Sequence, residues 1–167
     1  METSISFQHW PAWERLIGDE KARGSIVGLS FATQKENIVR AALEAIAFQV
    51  KDVFDAMQEV AGARLDILLT DGGASKNNWL MQFQADVLDR QVMRSQTAEL
   101  SGLGAAFAAG LGSGFWSSTD EVARVIAPHD LFRPQLEDHE RTRLVHGWTN
   151  AVASVKTLSA ASSPAQH

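Results

Sequence analysis

The sequence predicts an α/β fold, and three observations support it. Short runs rich in branched apolar residues favour strands at 26–29, 65–70 and 91–94. Between those runs, apolar residues recur at helical spacing over the longer stretches 38–60 and 79–88. Strands and helices therefore alternate, which is typical of a sheet that is at least partly parallel and is covered by helices.

The composition excludes several classes of function. The chain has 167 residues, of which 45% are hydrophobic, and a formal net charge of -5. This length suits one domain, and the negative charge argues against a nucleic-acid partner. The chain has no cysteine, so disulfides and thiolate chemistry are unavailable, which fits a cytoplasmic location. Since no apolar run approaches a membrane span and no signal-peptide pattern is present, we expect no membrane partner.

The N-terminal part contains one uncertain segment and one strand. Residues 1–21 form a segment of uncertain structure, in which Trp10 and Trp13 are typical of docking onto a neighbouring surface. The strand at 26–29 is bracketed by glycines. Gly28 either lets a backbone or ligand approach closely or only ends the strand.

A long core helix follows. Thr33 and Glu36 stand three residues apart ahead of the apolar pattern, which predicts a capping box at the start of the helix. Gly62 is the expected C-terminal stop. The apolar run 65–70 that comes next predicts a buried strand.

The later elements are less regular. They begin with a strand at 91–94 and a helix of small residues over 101–112, into which residues 97–100 lead. A short helix then runs from the capping box of Ser118 and Glu121 to Val125 and is stopped by Pro128. An extended connection at 130–134 and a last helix over 137–155 follow. The Ser- and Ala-rich stretch 156–167 is expected to be a disordered tail.

The turn after the strand at 65–70 is the candidate ligand site. Asp71, Gly72 and Gly73 lead through a polar stretch into the helix at 79–88. Glycines carry no Cβ and accept positive φ, so a flat ligand could lie against this backbone. A strand, a glycine turn and a helix N-terminus form the outline of a nucleotide site at the carboxyl edge of a sheet. The alternative is an ordinary tight turn between strand and helix.

Several motifs, in order, resemble the C-terminal domain of the FGGY carbohydrate kinases, and most closely its glycerol kinase members. The resemblance extends over 22–155. It rests on GSIVGL at 24–29, NIVRAALE at 37–44, DGG at 71–73, MQFQADVL at 81–88, LGAAFAAGL at 103–111 and GFW at 114–116.

The resemblance implies a fold, an activity and a set of site residues. The fold would be a ribonuclease H-like ATPase domain of the actin and sugar kinase type, here incomplete, with a mixed sheet flanked by helices. The activity would be phosphoryl transfer from ATP, with magnesium, to an alcohol such as glycerol. Gly73 would lie against the adenosine and Asn77 would contact the adenine. Gly72 would form the same nucleotide-binding loop, and Asp71 would order that loop from behind. Glu99 and Ala105 are weaker candidates for support of the site.

The resemblance also implies that this chain is half of a catalytic unit. In the family, the other half supplies the polyol pocket, the general base and the magnesium-binding aspartate. We therefore expect no catalytic residue and no metal ligand here, and no turnover without an N-terminal domain. Asp66, Asp71 and Asp86 are the only carboxylates near the turn in sequence, and none is expected to act as a base.

Two alternatives to a glycerol kinase part remain open. The chain could belong to another sugar kinase of the family, of the xylulose or gluconate type. It could also be a non-catalytic remnant that serves interaction or oligomerisation. Because three strands are predicted where the fold class needs five, unpaired edges are expected to favour a homo-oligomer or a complementing kinase half as partner.

Overall fold

The computed structural model describes residues 4–6, 24–96, 100–123 and 129–161. Five residues singled out from the sequence lie outside these ranges: Trp10, Trp13, Glu99, Val125 and Pro128. Residues 162–167 of the expected tail also lie outside them.

The described elements alternate as the sequence predicts. The strands are β1 (Ser4–Ser6), β2 (Ser25–Val27), β3 (Ile67–Thr70), β4 (Gln91–Ser95) and β5 (His129–Phe132). The helices are α1 (Lys35–Ala61), α2 (Asn78–Leu88), α3 (Leu100–Gly112), α4 (Thr119–Ala123) and α5 (Asp138–Ala161), and a short 3-10 helix covers Ala74–Lys76.

The strands form two small sheets. β1 and β2 pair in antiparallel fashion, and β3, β4 and β5 form the larger sheet in that order. β3 runs parallel to β4, with Leu68 opposite Val92, whereas β5 runs antiparallel to β4, with Phe132 opposite Val92. The larger sheet is therefore mixed, as the resemblance implies.

One face of the larger sheet carries the core. Val92 is fully buried at its centre, and Leu68 and Phe132 beside it pack against the same cluster, to which α1, α2 and α5 all contribute. Trp148 of α5 stacks on Phe48 of α1 with ring centroids 5.4 Å apart. Since side chains alternate across a sheet, this register puts residues 67, 69, 93 and 131 on the opposite face.

The start of α1 differs from the prediction. Gln34, not Thr33, is the N-cap, and its backbone N–H donates to Asn37 Oδ1 over 2.9 Å. Thr33 Oγ1 instead accepts from the backbone N–H of Ser30, in the turn that leads into the helix. The cap moves by one residue because this turn takes up the threonine hydroxyl. The predicted stop is confirmed, since Gly62 is the C-cap with φ +59°.

Two strand predictions were wrong. The run 65–70 was expected to be a buried strand, but β3 lies at the edge of the described sheet and Leu69 is 70% exposed. Among the described residues, helices pack only on the face that carries Leu68. Residues 130–134 were expected to be an extended connection, whereas β5 occupies His129–Phe132 and pairs with β4. Two strands, β1 and β5, therefore add to the three predicted from the sequence.

The C-terminal elements also differ in detail. Ser118 Oγ accepts from the backbone N–H of Glu121, which confirms half of the predicted capping box. The Glu121 carboxylate accepts instead from the backbone N–H and hydroxyl of Ser117, and these bonds hold the pKa of Glu121 below its ordinary value. α5 continues to Ala161, so the first residues of the expected tail are helical.

Candidate functional site

The glycine turn lies directly after β3 and is held by a hydrogen bond from Ser75. Gly72 has φ +85°, in the left-handed region that favours glycine. Gly73 has φ -64° and ψ -42°, a right-handed conformation open to any residue, and it begins the 3-10 helix. The buried Ser75 hydroxyl donates to the Gly72 carbonyl over 2.8 Å. The turn thus has one position, Gly72, whose backbone conformation favours glycine and one, Gly73, whose conformation does not.

Both glycines face open space. A Cβ built at Gly72 or at Gly73 would meet no atom within 4 Å. The absence of side chains here is therefore not required by packing inside this chain. It leaves room for an external flat group to lie against the backbone, which is the fit that a nucleoside needs.

Asn77 has a structural role beside its expected ligand role. It is the N-cap of α2, and its Oδ1 accepts from the backbone N–H of Leu80 over 3.1 Å. In the described part of the chain no hydrogen bond engages its Nδ2, which leaves one donor for a ligand. The capping role could have been read from the sequence, because Asn is among the preferred N-cap residues.

The remaining predicted residues do not converge on the turn. Asp71 is exposed, and its carboxylate makes no hydrogen bond or ion pair within the described ranges. Its role in ordering the loop stays a prediction. Ala105 is exposed on α3.

A polar groove of about 320 Å³ opens beside the turn, at the carboxyl ends of β3 and β4. Its walls come from the turn, the start of α2, the end of β4 and the start of β5. They are lined by Gly72, Ser75, Lys76, Asn78, Arg94, Ser95, Gln96 and Asp130. The carboxyl edge of parallel strands is where ligands bind in open α/β sheets, so this groove is the candidate site.

Arg94, which the sequence analysis did not single out, occupies the floor of this groove. One of its terminal nitrogens donates to the Ser75 carbonyl and to Asn78 Oδ1, each over 2.8 Å. Its Nε and other terminal nitrogen donate to Asp130 Oδ2 over 3.0 and 2.6 Å. The pKa of Asp130 is held below its ordinary value, first by the hydrogen bonds from Arg94 and then by the bond from Gln96.

The other two acidic residues considered lie away from the groove. Asp66 precedes β3 and accepts from Arg64. Asp86 of α2 accepts from Gln82 and from the backbone N–H of Gln135. Among the described residues, no group of three or more His, Asp or Glu side chains is arranged to hold a metal ion. Magnesium therefore has no ligand set in the described ranges, and no step below depends on one.

Comparison with known proteins decides the family. Residues 9–113 match the C-terminal domain of the FGGY family of carbohydrate kinases, which is more than half of the chain. The chain belongs to this family. No helix in the described ranges is both long and apolar enough to cross a bilayer.

Curated relatives of this FGGY domain are glycerol kinases. It is 44% identical over 140 residues to glycerol kinase 1 of Lactiplantibacillus plantarum, covering 84% of this chain and 28% of the relative. It is 49% identical over 138 residues to glycerol kinase of Pseudomonas savastanoi pv. phaseolicola, covering 83% and 28%. The chain thus spans less than a third of the length of these relatives.

Solved structures confirm the fold. The domain superposes on Plasmodium falciparum glycerol kinase with ADP at a TM-score of 0.79 and 33% identity, covering 92% of this chain and 30% of that one. It superposes on xylulose kinase from Lactobacillus acidophilus at a TM-score of 0.68 and 22% identity, covering 87% and 29%. The prediction of an incomplete sugar-kinase ATPase domain, with a mixed sheet flanked by helices, is confirmed.

Proposed function

We propose that this FGGY domain is the nucleotide-binding part of an ATP-dependent glycerol kinase. The observation that carries the proposal is the open glycine turn at the carboxyl end of β3. The glycerol kinase relatives and the ADP in the Plasmodium falciparum structure support it. A xylulose or gluconate kinase is the weaker alternative, because the likeness to those enzymes is at 22% and 21% identity and reaches only the fold.

The proposed roles are those that the family resemblance implies, and the open geometry of the turn supports them. The adenosine lies against the backbone of Gly72 and Gly73, where no side chain intrudes. The amide nitrogen of Asn77 donates to the adenine while its oxygen caps α2. Asp71, next to Gly72, supports the loop. Together these residues position the nucleotide and leave the chemistry of the phosphates to other groups.

We also propose that the isolated domain binds nucleotide without turnover. Phosphoryl transfer depends on positioning and electrostatic stabilisation of the phosphates, with a base for the acceptor hydroxyl. The polyol pocket, the base and the magnesium ligands would come from an N-terminal kinase domain, and the complete enzyme would work in the cytoplasm.

A calorimetric titration with magnesium ADP tests the site. Gly73→Arg is the decisive variant, because Gly73 has an ordinary backbone conformation and open space around it, so the fold should survive. The new side chain would occupy the nucleoside's place. We expect the ADP affinity to fall by more than about tenfold, or about 1.4 kcal/mol.

Gly147→Arg is the matched control. Gly147 lies in α5, and a Cβ there would also meet no atom within 4 Å. This variant adds the same charge and bulk away from the groove, so it should leave the affinity unchanged. Equal ADP binding by the wild type and by Gly73→Arg would refute the site. Glycerol-dependent turnover by the chain alone would refute the proposed division of labour.

A second proposal concerns the outer face of the larger sheet. Leu69, Met93 and Leu131 stand in register across its three strands, and Leu69 is 70% and Leu131 37% exposed. A contiguous apolar line on an edge strand and its neighbours is typical of an association surface. We propose that a second copy of the chain or a complementing kinase half covers it.

A further inference from the structure

Arg94 links three segments that meet at the candidate groove. It projects from the last part of β4 and binds the 3-10 helix through the Ser75 carbonyl, the start of α2 through Asn78, and β5 through Asp130. We call Arg94, Ser75, Asn78 and Asp130 the arginine clamp. The Arg94 side chain is only 17% exposed, and its guanidinium lies over the Phe132 ring, 5.2 Å from the ring centroid.

The clamp is continuous with the glycine turn. The ladder between β3 and β4 ends at the pair of Thr70 and Arg94, so within the described ranges no strand pairing holds the residues that follow β3. Ser75 takes over at this point: its hydroxyl donates to the Gly72 carbonyl, and its own carbonyl accepts from Arg94. One chain of hydrogen bonds therefore runs from Arg94 to the residue with positive φ.

Asp130 holds the guanidinium in place. Its Oδ2 accepts two hydrogen bonds from Arg94, and its Oδ1 accepts one from Gln96. Bonds between a guanidinium and a carboxylate are directional, and a planar fork loses little freedom when it is fixed in this way. The other edge of the fork is thereby aimed at the turn.

We propose that Arg94, oriented by Asp130, is the positioning residue that holds the glycine turn in its nucleoside-binding conformation. The inference rests on the proposed nucleotide site and deepens it. Arg94 acts through Ser75 and Asn78, without contact to the nucleoside, by keeping Gly72 and Asn77 at a fixed spacing. Without the clamp, the turn samples other conformations, and only a fraction of molecules can bind.

Arg90 offers a closely matched control at the opposite end of the same strands. It is 16% exposed, and its Nε donates to the Leu65 carbonyl over 2.9 Å, just before β3. It also donates to the Asp89 carbonyl and pairs with the Asp89 carboxylate. Each arginine therefore ties a backbone carbonyl beside β3, but only Arg94 does so at the groove.

The experiment compares Arg94→Met, Arg94→Lys and Arg90→Met by three readouts. These are thermal unfolding, magnesium ADP affinity by calorimetry, and hydrogen exchange of the amides at 72–78. We expect Arg94→Met and Arg90→Met to lower the melting temperature similarly. Of these two variants, only Arg94→Met should weaken ADP binding. We expect a loss of about tenfold, as estimated for the loss of hydrogen bonds from a charged group. Arg94→Lys keeps the charge but not the fork, so it should restore little of the affinity.

The outcomes separate this inference from the function it rests on. If the wild type binds no ADP, the proposed function fails, and exchange still decides the inference: the amides at 72–78 must exchange faster in Arg94→Met than in Arg90→Met. Equal exchange and equal affinity in these two variants would overturn the role of Arg94. Should Arg94→Met fail to fold, Asp130→Asn loosens the clamp more mildly and must shift the same two readouts in the same direction.

Discussion

Individual residues in the groove depend on partners that lie far away in sequence. Arg94 and Asp130 are brought together by the antiparallel register of β4 and β5, in which they stand opposite each other. Asp130 remains partly exposed, so its bond to Arg94 is open to solvent and to protons. A charge pair of this kind makes the conformation of the glycine turn depend on pH.

The pH dependence has a definite sign. Hydrogen bonds from Arg94 and then Gln96 lower the pKa of Asp130 in the folded chain. Its contribution to stability is therefore complete above the ordinary aspartate pKa of about 3.9 and is lost as the pH falls through the lower folded value. We expect Asp130→Asn to melt below the wild type at pH 7, and the gap in melting temperature to narrow as the pH falls below about 4. Thermal unfolding of both proteins across that range is the measurement.

Glu140→Gln is the control for this pH effect. The hydrogen bond from Arg143 also lowers the pKa of Glu140, but this pair lies on the surface of α5. Its stability gap should close with acid in the same way, while the exchange of the amides at 72–78 stays unchanged. If Asp130→Asn and the wild type keep a constant gap down to the lowest pH, the carboxylate does not act through its charge.

Elements with a strong local pattern were predicted well from sequence. The positions of α1, α2 and β3 follow from their apolar repeats or branched runs, and Gly62 ends α1 as expected, although the burial expected for β3 was wrong. β5 was missed because its residues, beginning His129 and Asp130, carry no strand pattern. β5 forms because the edge of β4 is available for pairing and because Arg94 of β4 binds Asp130 of β5. Such non-local support leaves no trace in a short window of sequence.

α3 is an element whose glycines have different surroundings. Trp116 folds back onto the helix, where its ring meets Phe107 edge-on at a centroid distance of 5.3 Å. A Cβ at Gly110 would come within 2.3 Å of two atoms of that ring. A Cβ at Gly112 would meet nothing within 4 Å. Gly110 is therefore required by packing, and Gly112 is not.

Substitution of these two glycines by alanine should have different effects on hydrogen exchange. Gly110→Ala must displace the Trp116 ring, so we expect faster hydrogen exchange over α3 and residues 113–116. Gly112→Ala should leave exchange unchanged or slower, because alanine is favoured over glycine in helices by up to about 1 kcal/mol. Equal protection in the two variants would mean that Trp116 does not anchor this end of the helix.

At the scale of the whole molecule, the position of the candidate site could be predicted from the sequence, but the hydrogen bonds from Arg94 that support it could not. The glycines are adjacent in sequence and follow a clear strand, so their pattern alone points to the carboxyl edge of the sheet. Arg94 lies in a different strand, and only the register of β3 against β4 brings it beside Ser75. The helices of the described ranges pack on one face of the sheet, and Leu69 on the other face is exposed, as expected for a sheet whose apolar face is only half covered.

That exposed face leads to the last prediction, which concerns assembly. Burial of Leu69, Met93 and Leu131 in an interface would stabilise the assembly by about 25 cal/mol for each Å² of apolar surface removed from water. We expect the chain to self-associate at tens of micromolar, and Leu69→Lys to shift it towards the monomer, because a lysine there would have to be desolvated. Sedimentation velocity at several concentrations measures both. Val60→Lys is the control, since Val60 is 90% exposed on α1, away from the sheet, and should leave the distribution unchanged. If the wild-type chain sediments as a monomer at every concentration, association of two copies through this face is contradicted. The complementing kinase half would then be the partner to test by the same sedimentation experiment.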